Sequence, residues 1–209
     1  MKKMKNILVL MLFLFTMSIN SYAGENAKGF YLGLGYGDVT FHDGGFSTNI
    51  YVNTGPIESK SNGMKVYTGY QFNNVIAIEA SYTDFGKYSS KSNDNDFSIS
   101  PKATSIYANL GYSFFDSQVR LFTTLGFASL AHNYDKHPNT LLVIEDETFS
   151  LKYGFGLAYE PNALHGVGFR VAFEQLAYNT TIKDDEDWFT LGSYNQSLTL
   201  IYLGVQYKF

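Results

Sequence analysis

The sequence contains no cysteine and has few charged residues for its length. The absence of cysteine excludes disulfides and cysteine-based metal or redox sites. A soluble domain averages about 25% charged residues, whereas only 16% of these 209 residues are charged. Aromatic residues make up 17% of the chain, and it contains 19 glycines. This composition is typical of short strands that expose one face to lipid.

Long hydrophobic runs are also missing, except for a short one near the N-terminus. Three lysines precede an apolar run over residues 7–17. Small residues occupy the positions before an expected cleavage site that follows Ala23. This pattern predicts a secretory signal peptide over residues 1–23 that is cleaved after Ala23, leaving one domain over residues 24–209. The alternative, a transmembrane anchor, needs about 20 apolar residues, and this run has about half that number.

The charge balance argues against a nucleic-acid partner. The formal net charge is −4, and removal of the signal peptide makes the chain more acidic because that segment contains three lysines and no acid. Binding to phosphate backbones requires a basic surface. No nucleic-acid partner is therefore expected.

Alternation of apolar residues with small or polar ones is the main pattern of the chain. It is clearest at the end, where Leu203, Val205, Tyr207 and Phe209 occupy every second position. A period of two predicts a strand with two different faces. The same pattern predicts eight strands, over residues 29–39, 64–72, 75–85, 102–114, 119–131, 148–159, 166–178 and 197–209.

The connections between these strands alternate between long and short. Short periplasmic turns and long outer loops are typical of bacterial outer-membrane barrels, which have even strand numbers. The sequence therefore predicts an all-β protein, an eight-stranded antiparallel up-and-down transmembrane β-barrel with both termini periplasmic. Asn73-Asn74 is predicted to form a tight hairpin turn because Asn tolerates positive φ. The predicted outer loops are residues 40–63, 86–101, 132–147 and 180–195.

A soluble eight-stranded barrel such as a lipocalin would also alternate, but its water-facing side should be rich in charge. Here the second face of each strand is mostly Gly, Ala, Ser, Thr, Tyr and Asn, and charges on the bulky faces are confined to the strand ends. A charge facing lipid would cost about 2–4 kcal/mol at the midplane. The bulky face is therefore predicted to contact lipid, and the smaller face to line the lumen. The charges predicted to point inward are Lys65, Glu79, Arg120, Lys152, Arg170, Glu174 and Lys208.

An eight-stranded lumen is only wide enough for side chains, so no open pore is expected. Inward charges then need partners. We hypothesise a structural ionic network of Glu79, Arg170 and Glu174, with Lys152, Arg120 or Tyr107 as possible partners. A narrow gated proton or ion path is the alternative role of this network.

Several stretches are similar to a known family: residues 69–73, 78–82, 85–86, 169–174 and 203–209. On these residues the chain resembles the OmpA-like family of small outer-membrane barrels. The resemblance implies an inward ionic network at the positions of Glu79, Arg170 and Glu174. It also implies that the C-terminal strand, with Tyr207 and Phe209, carries the assembly signal read by the barrel-assembly machinery.

Metal and cofactor signals are weak. The four histidines, His42, His132, His137 and His165, do not have the spacing of a metal pair on one face, and no cofactor is expected. The acidic run at residues 184–187 is interpreted as a solvated loop. Its alternative is a site for a divalent cation such as Ca²⁺, which prefers carboxylate oxygens. Acidic loop tips could also share bridging cations with lipopolysaccharide phosphates.

The expected function is structural or surface-interacting, through the outer loops and without enzymatic activity. Binding residues concentrate on loops over rigid scaffolds, so an adhesin or serum-resistance barrel that binds host ligands is the main alternative. An outer-membrane lipid-modifying enzyme would need a nucleophile and a base within hydrogen-bond reach, and Ser129 and His132 are the candidates. The expected partners are outer-membrane lipid, lipopolysaccharide and the barrel-assembly machinery, and the barrel is expected to be a monomer.

Overall fold

A computed structural model describes residues 28–45, 60–91, 96–113, 118–136, 142–144, 147–184 and 190–209. The predicted signal peptide lies outside these residues. Within them, no helix is long and apolar enough to span a membrane. A 3-10 turn covers Asn162–Leu164. The strands are β1 (Gly29–His42), β2 (Lys60–Gln71), β3 (Ile76–Asp84), β4 (Tyr88–Lys91), β5 (Asp96–Ser113), β6 (Val119–Lys136), β7 (Leu142–Ile144), β8 (Glu147–Tyr159), β9 (Val167–Asp184) and β10 (Thr190–Lys208).

Eight of these strands close into an antiparallel barrel. Their order around the barrel is β1-β2-β3-β5-β6-β8-β9-β10, and β10 pairs back with β1. Each barrel strand pairs with its neighbours along the chain, as in an up-and-down barrel. The short strands lie at the rim, where β4 pairs with β5 and β7 pairs with β9. The predicted fold class is confirmed.

The two faces of the strands also agree with the prediction. Leu203 is 71% exposed on the outer surface, and Phe155 and Val205 are also exposed there. Glu79 and Arg170 are buried inside the barrel. Because residues of one strand alternate between the two sides of the sheet, this arrangement leaves an apolar outer wall and a polar interior.

Most barrel strands extend further than predicted at one end of the barrel. β10 begins at Thr190 rather than at residue 197, and β9 ends at Asp184 rather than at residue 178. The predicted loops 40–63, 86–101, 132–147 and 180–195 are therefore wrong at their edges, and two of them contain the additional strands β4 and β7. The sequence prediction treated polar residues at the strand ends as loop, although alternate positions there still point into the barrel.

Along several strands, the outer face changes from apolar to polar residues and the inner face changes from polar or small residues to apolar ones. In β1, the outer face changes from Leu34 and Tyr36 to Asp38, while Val39 and Phe41 become the inward residues. β9 and β10 show the same exchange. We call the barrel end beyond this exchange the loop end, and the opposite end, which carries the short turns and Phe209, the turn end. The exchange extends the barrel past its apolar band as a water-facing β-structure with an apolar interior.

Two of the short turns at the turn end are stabilised in different ways. The Asn73 side-chain oxygen accepts hydrogen bonds from the backbone N–H groups of Val75 and Ile76, both at 2.8 Å. The turn therefore forms through an Asn side chain and not through the positive φ that was predicted, since His165 is the one non-glycine residue with positive φ in the described chain. His165 (φ 45°) and Gly166 (φ 97°) form the turn before β9.

Candidate functional site

The lumen at mid-barrel is filled by large side chains that face glycines. Tyr31 in β1 lies opposite Gly69 in β2, and Gly33 lies opposite Tyr67. A Cβ on Gly69 would lie 2.6 Å from Cζ of Tyr31. The glycines therefore admit two tyrosine rings into a narrow barrel. The Tyr31 hydroxyl donates to Glu79, and the Tyr67 hydroxyl donates to Oε1 of Gln206 at 3.3 Å.

Glu79 in β3 is the centre of the first ion pair. Arg170 in β9 donates from Nη1 to Oε2 and from Nη2 to Oε1, both at 3.0 Å. The Tyr31 hydroxyl donates to Oε1 at 2.5 Å, and the Asn109 amide donates to the same oxygen at 2.6 Å. This buried carboxylate thus receives four hydrogen bonds, as a desolvated charge requires.

Glu174 in β9 is the centre of the second group. Lys152 in β8 lies with Nζ 2.9 Å from Oε2 of Glu174, and Lys65 in β2 is ion-paired with Oε1. The Tyr202 hydroxyl donates to Oε1 at 3.2 Å. Sequence reasoning placed Lys65 inside the barrel but missed it as a partner of Glu174. Residue spacing along one strand carries no signal for a contact between distant strands.

Aromatic rings line the spaces between the charges. The guanidinium carbon of Arg170 lies 4.5 Å from the centroid of the Tyr67 ring and 4.8 Å from that of Phe122. Lys152 Nζ lies 3.9 Å from the centroid of Tyr107. Tyr107 thus contacts the network through its ring, whereas its hydroxyl has no hydrogen-bond partner among the described residues. Cation–π contacts of this kind are strongest in desolvated sites.

Among the side chains that the structure describes, Arg120 contacts no carboxylate. It lies closer to the turn end, where Nη1 donates to Oδ1 of Asn109 at 2.8 Å and Nε donates to the carbonyl of Asn74 at 3.1 Å. Since Asn109 donates to Glu79, Arg120 reaches the first ion pair only through this amide. A second polar cluster at the turn end joins Lys208 to Glu160 at 3.3 Å.

The residues Lys65, Glu79, Lys152, Arg170 and Glu174 form an ionic layer across the middle of the lumen. Toward the loop end, the interior becomes hydrophobic. Leu130, Leu198 and Leu200 are almost completely buried there. Phe41 and Tyr88 add an aromatic contact with ring centroids 5.4 Å apart. We call the inward residues Val39, Phe41, Leu130, Leu176, Leu198 and Leu200 the apolar layer.

The candidate catalytic pair is not assembled. Ser129 is exposed on the outer face of β6, whereas His132 is buried inside the barrel. Residues three apart on one strand point to opposite sides of the sheet. The Ser129 hydroxyl therefore cannot reach the His132 imidazole directly, which removes this pair as a nucleophile and base.

Metal-binding groups are also absent from the part of the chain that the structure describes, where no three His, Cys, Asp or Glu side chains lie close enough to share an ion. His42 and His165 are exposed near opposite ends of the barrel. His137 and residues 185–187 of the acidic run lie outside the described residues, so the Ca²⁺ hypothesis stays a prediction.

The family model for the outer membrane protein beta-barrel domain matches residues 7–209. The chain belongs to this family. Its closed eight-stranded barrel and its family place it in the outer membrane of a Gram-negative bacterium. This confirms the predicted resemblance to small outer-membrane barrels. No curated protein matches the chain significantly.

Solved structures show the same fold. The outer membrane protein OprG from Pseudomonas aeruginosa is 12% identical, with a TM-score of 0.57, over 88% of this chain and 98% of that one. Ail, the attachment invasion locus protein of Yersinia pestis, solved in complex with the heparin analogue sucrose octasulfate, is 16% identical with a TM-score of 0.51. The match covers 87% of this chain and 99% of Ail. At these identities, the similarity extends to the fold alone.

Proposed function

We propose that this outer-membrane barrel is a closed scaffold that acts at the cell surface through its outer loops and neither conducts ions nor catalyses a reaction. The observation that carries this proposal is the filling of the lumen by two successive layers. The ionic layer is followed toward the loop end by an apolar layer that includes Leu130, Leu198 and Leu200. An ion crossing the barrel would have to lose its hydration in the apolar layer, which is costly.

The ionic network has a structural role in this proposal. β3 and β9 lie on opposite sides of the barrel, so the Glu79–Arg170 ion pair connects the two walls. Lys152 in β8 similarly donates to Ser81 in β3, at 3.2 Å. A gated ion path is disfavoured because a rearrangement of these pairs would leave the apolar layer in place.

We propose that the turn end faces the periplasm and the loop end faces outward. Short turns are periplasmic and longer connections are external in barrels of this class. The water-facing extension beyond the apolar band supports the same orientation. In this orientation, the outer wall contacts lipid, and the polar border near Asp38 and Lys102 meets lipopolysaccharide headgroups.

The C-terminal strand supports a role in assembly. Tyr207 and Phe209 form an edge-to-face pair with ring centroids 5.1 Å apart at the turn end. The backbone N–H of Phe209 also donates to the carbonyl of Phe30 at 2.9 Å, which helps to close the barrel. We propose that these aromatic residues are the signal that the barrel-assembly machinery reads, and that the closed barrel is monomeric.

The surface partner is expected to differ from the ligand seen with Ail. Sucrose octasulfate is a dense polyanion, whereas this chain has a formal net charge of −4. Like charges disfavour association. A protein surface with basic residues, or a partner bridged by divalent cations, is the better match to acidic loops.

Planar-bilayer recording of the refolded barrel tests the closed-scaffold proposal. We expect no unitary conductance above the baseline, with a wide porin reconstituted in parallel as the positive control. Stable ion currents from a preparation that is fully folded on heat-modifiable gels would contradict the proposal.

The surface role is tested by deletion of the segment between β9 and β10. This deletion should abolish binding to host cells or matrix while the folded fraction stays unchanged. If binding to host cells or matrix is unchanged after deletion of each long connection in turn, the proposed surface role is contradicted.

A further inference from the structure

A row of small residues follows the inner wall of the barrel over four neighbouring strands, between the ionic layer and the apolar layer. The strand register places Ser81 opposite Ser105, Ser105 opposite Ala128, and Ala128 opposite Ser150. We call Ser81, Ser105 and Ser150 the serine row. At the next inward positions toward the turn end, the large residues Tyr107 and Lys152 lie on either side of Gly126. The serine row is therefore lined by short side chains in an otherwise crowded interior.

Two hydroxyls of this row are buried without protein partners. Ser105 is 3% exposed and Ser150 is 0% exposed, and neither Oγ atom lies within hydrogen-bond distance of a group in the described part of the chain. The hydroxyl of Thr148, one inward position toward the loop end, has the same property. Buried polar groups are almost always hydrogen-bonded. These hydroxyls therefore point to a polar ligand.

The charge of the neighbouring layer indicates the sign of that ligand. Among the described side chains, the ionic layer contains three cations and two carboxylates, all of them buried. Burial of an unbalanced charge is costly. Lys152 is the cation that reaches the serine row, since Nζ donates to Oγ of Ser81 at 3.2 Å. The remaining positive charge thus lies beside hydroxyl groups that can donate hydrogen bonds.

We propose that the serine row binds one small inorganic anion of about the size of chloride. Lys152 Nζ supplies the charge, and the hydroxyls of Ser105 and Ser150 supply neutral donors. Loss of a proton from a lysine would also balance the charge, but it would leave both serine hydroxyls without partners. A bound anion balances the charge of the ionic layer and also accepts hydrogen bonds from both serine hydroxyls. Because it binds only the folded barrel, it stabilises the folded state.

Crystals of the refolded barrel grown with sodium bromide in place of sodium chloride test the site directly. We expect one anomalous bromide peak within hydrogen-bond distance of Lys152 Nζ and of Oγ in Ser105 and Ser150. The double variant Ser105→Ala/Ser150→Ala should lose the peak. Ser129→Ala, which changes an exposed serine of the outer face, should keep it. Water density without an anomalous peak in the folded wild-type barrel would overturn the proposal.

Thermal unfolding in detergent shows whether the anion binds in solution. At constant sodium concentration, replacement of gluconate by chloride should raise the unfolding midpoint of the wild-type barrel in a saturable way. The shift should be lost in the double serine variant and retained in Ser129→Ala. Equal midpoints in chloride and gluconate would contradict the proposal, and would reduce any bromide peak to an adventitious ion only. If the double variant does not fold, Ser105→Ala alone should show a smaller shift, and a full wild-type shift in it would count against the site.

Discussion

The guanidinium of Arg170 and the carboxylate of Glu79 form a two-point ion pair across the full width of the barrel. Each of the two N–H···O contacts is 3.0 Å long, and both side chains are buried. The planar fork of arginine fits a carboxylate in this bidentate manner, which lysine cannot do. The pair joins β3 to β9, two strands that share no backbone hydrogen bonds.

Replacement of Glu79 by Gln should destabilise the barrel strongly. The variant leaves the Arg170 guanidinium buried without a counter-charge, and breaking a buried pair in this way costs about 3–5 kcal/mol. Urea unfolding in detergent, followed by heat-modifiable gel migration, measures the change. The control is Asp84→Asn, which removes a 3.5 Å ion pair with Lys102 whose side chains are 41% and 38% exposed. Surface pairs contribute about 0–1 kcal/mol. An equal loss of stability in both variants would therefore contradict the structural role of the Glu79–Arg170 pair.

Replacement of Gly33 by Val should impair folding. A Cβ at this position would overlap the ring of Tyr67, which is itself packed against Arg170. The folded fraction on heat-modifiable gels should fall, and Tyr67→Ala in the same chain should recover part of it. Ala80→Val adds two methyl groups on the exposed outer face and should have little effect. A fully folded Gly33→Val barrel would show that the lumen has more room than the packing indicates.

Replacement of Leu203 by Arg tests the lipid-facing wall. Leu203 is among the most exposed apolar side chains, and an arginine facing lipid near the bilayer midplane costs about 2–4 kcal/mol. Unfolding from lipid vesicles measures the loss. Asn195→Arg lies on the outer face beyond the apolar band and should cost about 0–1 kcal/mol. Equal costs at the two positions would place the membrane boundary elsewhere.

Replacement of Leu198 by Ala tests the apolar layer as a packed core. Leu198 is completely buried, and a leucine-to-alanine change in a core costs about 2–5 kcal/mol. Chemical unfolding in detergent provides the measurement. Leu164→Ala, in the exposed turn before β9, should cost much less because little apolar contact is lost. A negligible loss at Leu198 would mean that the loop end contributes little to stability.

Sequence reasoning identified the fold and the two faces of each strand because both depend on a local period of two. It also placed Glu79, Lys152, Arg170 and Glu174 inside the barrel, since an inward position follows from alternation alone. The strand ends were less well predicted. At the loop end the outer residues become polar and the inner residues become apolar. A prediction that requires an apolar outer face therefore ends each strand at this exchange.

The amino-acid sequence by itself determined the family, the number of barrel strands and the inward direction of the lumen charges, because these follow from residue order along single strands. The tertiary structure alone decided which charges meet. Lys65 pairs with Glu174, and Arg120 contacts the side-chain amide of Asn109. Such contacts depend on the register of strands around a closed barrel, where neighbours across the lumen are far apart in the chain.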